Sequence, residues 1–382
     1  MNDSIKHALL CGACFLAGLF ARFAFDFFNN EDEEESIEWN GGLYYGDTNK
    51  DGLPDGEGRF EKDGIIFTGS WSSGQIVSGK IESDRYVYEG ELSDFKFNGF
   101  GVCRYKDGHT YWGYWKDDYK HGVGRLMSES GKQSFGLYDE GNLMEPDNHN
   151  YDVGDVVYGI DVSWHQGAVS WQDLYFSAKS NGRITGTFDS ASPFMQPPLF
   201  VYIKATEGTT VADPMYESNY AEAKRCGFHT GSYHFLSMQS SGKQQAEYFI
   251  QNAMLETGDL PPVLDLEKVE TTTLVSDEEF SKIIPIAKEW LQTIEEKLGV
   301  KPVIYVNVNV YEKFVKGDAI LNAHDLWIAC PGNKKPEIPN CIIWQFNQHG
   351  TMNGVTENYV DVNMYSYDYA HLAQYIKEHG IK

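Results

Sequence analysis

Two rhythms of apolar and polar positions divide this chain. Between residues 41 and 145, short alternating runs are broken by glycine at regular intervals. From about residue 155 onward, compact apolar runs take turns with longer stretches whose apolar residues return every three or four positions. Alternation marks half-buried strands, and the three-to-four rhythm marks amphipathic helices. The second region is therefore predicted to hold strands near 158–163, 199–206, 229–235, 261–267, 301–307, 325–330, 341–347 and 359–364. Helices are predicted over 216–226, 243–256, 277–298 and 367–379. Strands alternating with helices point to an α/β fold built on a parallel barrel. Only short segments separate the last three strands, which leaves no room there for crossover helices.

The first region repeats itself. An aromatic-x-Gly unit recurs at Tyr44-Tyr-Gly46, Phe67-Thr-Gly69, Tyr88-Glu-Gly90 and Tyr111-Trp-Gly113, with a weaker copy at Phe135-Gly136; the glycines step by 23, 21, 23 and 23 residues. A second glycine follows at Gly56, Gly79, Gly99 and Gly122, and three copies read Gly-x-Gly. One β-hairpin per repeat accounts for this, with glycine supplying positive φ in turns and aromatics packing on the next hairpin. A lone hairpin is marginal, so a stack is the stable unit. The pattern resembles the MORN repeat, closely at 88–108 and 111–131 and degenerately at 67–87, where Ser78-Gly79-Lys80 replaces Gly-x-Gly. The resemblance implies an elongated sheet used for binding or spacing and leaves the partner of the repeats open. Asp47-Thr-Asn49-Lys-Asp51-Gly52 imitates the start of a calcium loop, but its twelfth position is Gly58 rather than Glu, so an acidic hairpin loop is expected.

Ahead of the repeats, Ala8 to Phe25 is apolar except for Arg22, and an acidic run, Glu31-Asp-Glu-Glu-Glu35, follows. As a helix the stretch would reach roughly 27 Å, near the thickness of a bilayer core. Without a clean small-x-small cleavage site, residues 1–30 are expected to be a signal-anchor and 31–40 an acidic linker. The protein would then be anchored in the membrane with its catalytic domain outside the cytoplasm, secretion being the alternative. With 31 basic against 56 acidic residues, the formal charge is −25. Nucleic acid, which needs a basic surface, is excluded as a partner. Six cysteines are too few for a disulfide scaffold; a Cys330–Cys341 bridge and two free thiols are both open readings. No Cys/His spacing reads as a zinc site, and no cofactor is expected.

The chemistry lies in the second region. Pro262-Val-Leu-Asp265-Leu-Glu267 is an apolar run ending in two carboxylates two residues apart. In a strand both face the same way, and in parallel barrels the carboxyl ends of strands carry the chemistry. Further runs end in acids at Asp161, Glu207 and Asp361. Several converging carboxylates suit glycosidic-bond cleavage. Seven motifs in order, Asp161-Val-Ser-Trp-His-Gln-Gly167, Tyr202-Ile-Lys-Ala-Thr-Glu-Gly208, Gly231-Ser-Tyr-His-Phe235, Pro262 to Glu267, Leu326-Trp-Ile-Ala329, Trp344-Gln-Phe346 and Val360-Asp-Val-Asn363, resemble glycoside hydrolase family 25. Those enzymes are N-acetylmuramidases, or lysozymes, that cut peptidoglycan.

The resemblance spans 158–365 and implies an irregular TIM-like (β/α) barrel of five βα units plus three strands, over residues 155–382. It implies a retaining hydrolase of the β-1,4 bond between N-acetylmuramic acid and N-acetylglucosamine. Glu267 matches the acid/base, Asp265 its companion, and Asp161 and Asp361 the acids lining the same cleft. The resemblance further implies the substrate's own 2-acetamido group as nucleophile, oriented by Asp265. Substrate-binding candidates are Tyr233, His234, Trp344, Gln345, Lys204, Glu207 and Tyr305. Several have plainer readings: Glu207 as an ion-pair partner of Lys204, Tyr233 and Trp344 as packing, His165 and His234 as satisfied polar residues. Two departures stand out. Residues 171–199 form a long insertion, and Trp164-His165 inverts the commoner His-aromatic order. An inactive carbohydrate-binding or assembly protein, and a glycosidase acting on another N-acetylhexosamine polymer such as chitin, are the alternatives.

Overall fold

The computed structural model describes residues 36–144, 151–268 and 276–382. The chain forms two compact units. One takes the chain up to Ser130 together with Gly136–Met144; the other takes Gly131–Phe135 and the chain from Glu145 to Lys382.

The first unit is an all-β repeat sheet whose strands lie side by side in chain order. They are β1 (Ser36–Trp39), β2 (Gly42–Thr48), β3 (Pro54–Lys62), β4 (Ile65–Ser72), β5 (Gln75–Glu82), β6 (Tyr86–Ser93), β7 (Lys96–Tyr105), β8 (Thr110–Lys116), β9 (Tyr119–Met127), β10 (Gln133–Asp139) and β11 (Asn142–Leu143). The sheet begins inside the segment read as an acidic linker. Ile37 and Trp39 alternate with polar neighbours, β1 pairs with β2, and the Trp39 ring packs edge-on against Phe60 and Trp71 at 5.4 and 5.7 Å.

Register explains the repeat. Tyr44, Phe60, Phe67, Ile81, Tyr88, Cys103 and Tyr111 stand opposite one another across successive strands and are all buried. Two residues along, Gly46, Gly58, Gly69, Gly79, Gly90, Gly101, Gly113 and Gly124 form a second row on the same face. The tyrosine rings lie down on this row. A Cβ at Gly58 would sit 2.1 Å from the Tyr44 hydroxyl oxygen, and one at Gly101 2.3 Å from that of Tyr88. Gly58 and Gly101 have no positive φ, so they supply space rather than turn geometry. True turns lie elsewhere: Asp63 and Gly64, between β3 and β4, have φ of 51° and 78°, the twist a two-residue hairpin loop needs.

The second unit is an α/β barrel. Its strands are β12 (Tyr158–Val162), β13 (Phe176–Ser177), β14 (Met195–Gln196), β15 (Phe200–Glu207), β16 (Val211–Ala212), β17 (His229–Phe235), β18 (Val263–Asp265), β19 (Val303–Asn307), β20 (Leu326–Ala329), β21 (Cys341–Gly350) and β22 (Val360–Tyr365). Eight of them close a mixed barrel in the order β12-β15-β17-β18-β19-β20-β21-β22 and back to β12. The first seven run parallel; β22 is antiparallel to both of its neighbours. Four main helices, Tyr216–Arg225, Gly242–Asn252, Ile283–Leu298 and Tyr369–His379, accompany the strands. Ser241 opens the second with a capping box closed by Gln244, and Gly299 ends the third in the left-handed region at φ 68°.

Two elements are shorter than the sequence suggests. The helix expected over 277–298 is split into Asp277–Phe280 and Ile283–Leu298. Pro285 cannot donate to the carbonyl four residues back, so it sits in the first turn of a new helix. The strand expected over 261–267 is confined to Val263–Asp265, since Pro261 and Pro262 have no N–H for a ladder. Beneath the future site the interior is filled by Phe200, Tyr202, Tyr305 and Trp327, with Tyr202 stacked on Trp327 at 5.1 Å. Gly159 and Gly231 make that filling fit: a Cβ on either would come within 2.4 Å or 2.2 Å of the Phe200 and Tyr202 rings.

The expected membrane anchor needs correction. Among the described residues no helix is long and apolar enough to cross a membrane. Ile283–Leu298 has 16 residues and carries Lys288, Glu289, Glu295, Glu296 and Lys297 on its polar face. The segment 8–25 lies outside the described residues. The described residues thus do not bear out the membrane as a partner or a membrane-anchored location. Cys330 and Cys341 are free thiols, so the bridge is absent as well.

Candidate active site

Strand alternation decides which side chains reach the barrel interior. On β12 these are Gly159 and Asp161; on β17, Gly231, Tyr233 and Phe235; on β22, Asp361 and Asn363. They converge at one end of the barrel on a cavity of about 340 Å³. Asp161, Val162, Ser163, His165, Gln166, Lys204, Tyr233, Phe235, Val263, Asp265, Glu267, Tyr305, Trp327 and Asp361 line it. Four carboxyl groups thus face one small space, and Lys204 is the one lysine or arginine among these lining residues.

The acids fall into two pairs. Asp161 and Asp361 stand directly opposite each other on the antiparallel strands β12 and β22, with their carboxyls hydrogen-bonded. Asp161 Oδ2 also accepts from Gln345 Nε2 at 3.0 Å and Asn363 Nδ2 at 2.7 Å. Burial pushes Asp161 up, the neighbouring Asp361 adds to the rise, and the two amide donors oppose it. Burial and the charge of Glu267 push Asp361 up to about 7. The amide donors favour the charged form of Asp161, while the hydrogen bond from Asp161 favours the charged form of Asp361, so the two carboxyls act as one coupled site that holds a proton between them.

Asp265 and Glu267 form the second pair. Burial, then the charge of Glu267, pushes Asp265 well above the usual carboxylate range, with Lys204 opposing. Burial also raises Glu267, against the Tyr305 phenol and Lys204, which both favour its charged form. Asp265 Oδ1 is buried without a hydrogen-bond partner. An acceptor in that state is costly unless something else comes to meet it. The arrangement can hold a proton at neutral pH on one carboxyl while a neighbour carries charge, which is what general-acid chemistry needs.

Other expected residues separate clearly. Tyr305 lines the cavity and donates to Gln345 Oε1 at 2.9 Å. Gln345 is fully buried behind the acids and reaches the site through Asp161 and Tyr305. Lys204 Nζ pairs with Glu207 Oε2 at 2.8 Å; a bulge between Lys204 and Thr206 turns both onto the inner face. Glu207 does not line the cavity. His234 and Trp344 point the other way. His234 is fully buried, bonded to Thr206 and Gln245 and stacked on Trp290 at 5.6 Å. Burial lowers it to about 4, so it is a neutral structural imidazole. Trp344 donates to the Cys330 carbonyl at 2.8 Å and packs beside Phe346. The reason is elementary: Tyr233 and His234, like Trp344 and Gln345, are strand neighbours, and only one of each can face inward.

Sequence reading passed over Trp327 and Asn363. Trp327 lines the cavity and donates to Asn363 Oδ1 at 2.8 Å. Both lay within quoted motifs, and Asn363, two residues after Asp361, shares its face by period alone. The insertion after Trp171 contributes no lining residue. Its ribbon of β13 and β14 packs on the outside, with Phe176 6.3 Å from Tyr158 and the Phe188 N–H bonded to Thr351 Oγ1 at 2.7 Å. Among the described residues no cluster is arranged to hold a metal ion.

The model of glycosyl hydrolases family 25 matches residues 160–355, more than half of the chain. The chain belongs to glycosyl hydrolase family 25. The MORN repeat model matches 88–110 and 111–133, so the family 25 domain follows a MORN-repeat region. The uncharacterized protein YegX of Escherichia coli K12 is 30% identical over 213 residues, covering 55% of this chain and 70% of that one. Lysozyme M1 of Streptomyces globisporus is 28% identical over 223 residues, covering 55% and 68%. The crystal structure of a bacterial lysozyme from Streptomyces coelicolor aligns with a TM-score of 0.47 at 28% identity, covering 58% of this chain and 97% of that one. Family 25 comprises muramidases and lysozymes acting on peptidoglycan-like substrates, and the domain makes this protein a glycoside hydrolase.

Proposed function

We propose that this chain hydrolyses the β-1,4 bond between N-acetylmuramic acid and N-acetylglucosamine in peptidoglycan, with retention at the anomeric carbon. The observation that carries the reading is the pairing of Glu267 with a buried Asp265 whose Oδ1 lacks a partner. Glu267, raised by burial, gives its proton to the leaving glycosidic oxygen as the C1–O bond breaks. The carbonyl oxygen of the substrate's own 2-acetamido group attacks C1. Its N–H meets Asp265 Oδ1; while Glu267 is protonated its charge no longer raises Asp265, Lys204 favours the carboxylate, and that carboxylate steadies the positive charge that spreads over the cyclic oxazolinium. Water then adds to C1, Glu267 takes its proton, and the acetamido group is released. Asp161 and Asp361 hold the sugar and the local charge from the opposite wall. Tyr233 and Trp327 bound the space as aromatic surfaces, on which sugar C–H faces pack.

Clearing of purified peptidoglycan, followed by new reducing ends and by NMR of the first-formed anomer, tests this. The expected result is clearing with the β-anomer appearing first, and little release from chitin oligomers. Release from chitin alone, or an α-anomer, overturns the reading.

A further inference from the structure

Trp164, next to the cavity, has no part in the chemistry above. It is 51% exposed, although its backbone is held from several sides. Its N–H donates to Asp213 Oδ2 at 2.9 Å. Ser163 closes a capping box with Gln166 around the turn. Gln166 Nε2 donates to the Tyr359 carbonyl at 3.1 Å, and the Asn358 amide donates to the His165 carbonyl. The indole stacks on the His165 imidazole at 4.0 Å and 30°, and His165 lines the cavity. One face of the indole is thus backed by a residue of the site, and the rest is offered to solvent.

An aromatic ring held this way forgoes the stabilisation of burial, while its fixed backbone removes much of the ordering cost of binding something. Its surroundings narrow the ligand. Asp161, Asp361 and Asp213 are close by, and Glu357 lies against Gly167 in the same turn. A carboxylate-bearing group is disfavoured there. A neutral pyranose with an apolar C–H face is favoured.

We propose that Trp164, backed by His165, is the platform for a neutral N-acetylhexosamine residue of the glycan, one position out from the sugars over the carboxylates. The proposal rests on the muramidase reading only for the identity of the polymer. It makes Trp164 a determinant of affinity for longer glycans. The inverted Trp-His order of this chain is what brings the larger ring to the rim.

The test has two arms. Binding of the N-acetylglucosamine tetramer is followed by tryptophan fluorescence and calorimetry, using the full chain carrying Glu267→Gln so that nothing turns over. Cleavage of soluble glycan strands is measured with the otherwise native chain. Trp164→Ala is expected to weaken tetramer binding and raise KM about tenfold, a stacking contact's worth, while kcat moves far less. Trp164→Phe should recover most of both. Tyr367→Ala, which removes an exposed ring 53% open to solvent and stacked on His371, should change neither. Equal tetramer affinity in native and Trp164→Ala forms, or no binding by either, overturns the platform. A native chain that binds the tetramer through Trp164 but cleaves no peptidoglycan would instead overturn the muramidase reading and leave the platform standing.

Discussion

At the scale of single residues, the site is a contest between burial and charge. Four carboxyls share a cavity whose one lysine or arginine is Lys204, and burial raises each of them. Glu267→Gln keeps the shape but has no proton to give. Activity on peptidoglycan should fall by about 10²–10⁴-fold with the fold intact; near-native turnover would remove Glu267 from its role. Asp361 makes a stability prediction. Its carboxyl, pushed up to about 7, binds a proton in the folded chain where the unfolded chain has already released it. Stability is therefore fully present at low pH and is lost as pH rises toward and through about 7. Asp361→Asn carries no charge to penalise, and its amide can donate to Asp161 in place of the acid proton. Its melting temperature should exceed that of the native chain at pH 8, equivalent to roughly 1–3 kcal/mol, and the gap should close near pH 4. A gap that is constant with pH would show that Asp361 does not hold that proton. The carboxylates were legible from sequence because acids at the ends of apolar runs have few structural explanations. His234 and Trp344 share motifs with residues of the site but stand at the opposite strand parity, so their side chains face away from the cavity.

At the scale of elements, period two governs both units. In the repeats it sets an aromatic row beside a glycine row, so the glycines must stay bare for the rings to lie flat. Gly101→Ala, whose Cβ would meet the Tyr88 ring at 2.3–2.5 Å, should cost about 1–3 kcal/mol. Gly64→Ala meets open space and pays only for its φ of 78°, about 1 kcal/mol. In a Tyr88→Ala background the Gly101 penalty should shrink, a coupling that a double-mutant cycle by thermal unfolding would measure. Equal penalties in both backgrounds would refute the steric account. The repeat period was visible in the sequence, but the purpose of its glycines was not. Spacing shows that glycine recurs; only the register shows what lies over it. The split at Pro285 and the shortened β18 had local signals in their prolines. The inward turn of Glu207 had none, because a bulge depends on the partner strand.

At the scale of the whole molecule, all the residues lining the cavity lie between Asp161 and Asp361. We therefore expect residues 150–382, produced alone, to fold and to clear peptidoglycan at a rate within a few-fold of the full chain. A soluble full chain beside an unfolded fragment would show that the cut passes through a shared core. Residues 131–135 group with the barrel unit, and a fragment beginning at residue 131 would separate their contribution from that of the repeats. The α/β class and the missing crossover helices could be read from run lengths. The antiparallel direction of β22 could not, since direction is fixed only when a strand finds its neighbours.

That last strand has a consequence in time. β22 zips between β21 and β12 and brings Asp361 against Asp161 across two hundred residues of intervening chain. So distant a closure is entropically slow and rewarded only at its end. During synthesis, Asp161, Asp265 and Glu267 all emerge before the strand that carries Asp361. The nascent chain thus carries half a cleft until β22 leaves the ribosome.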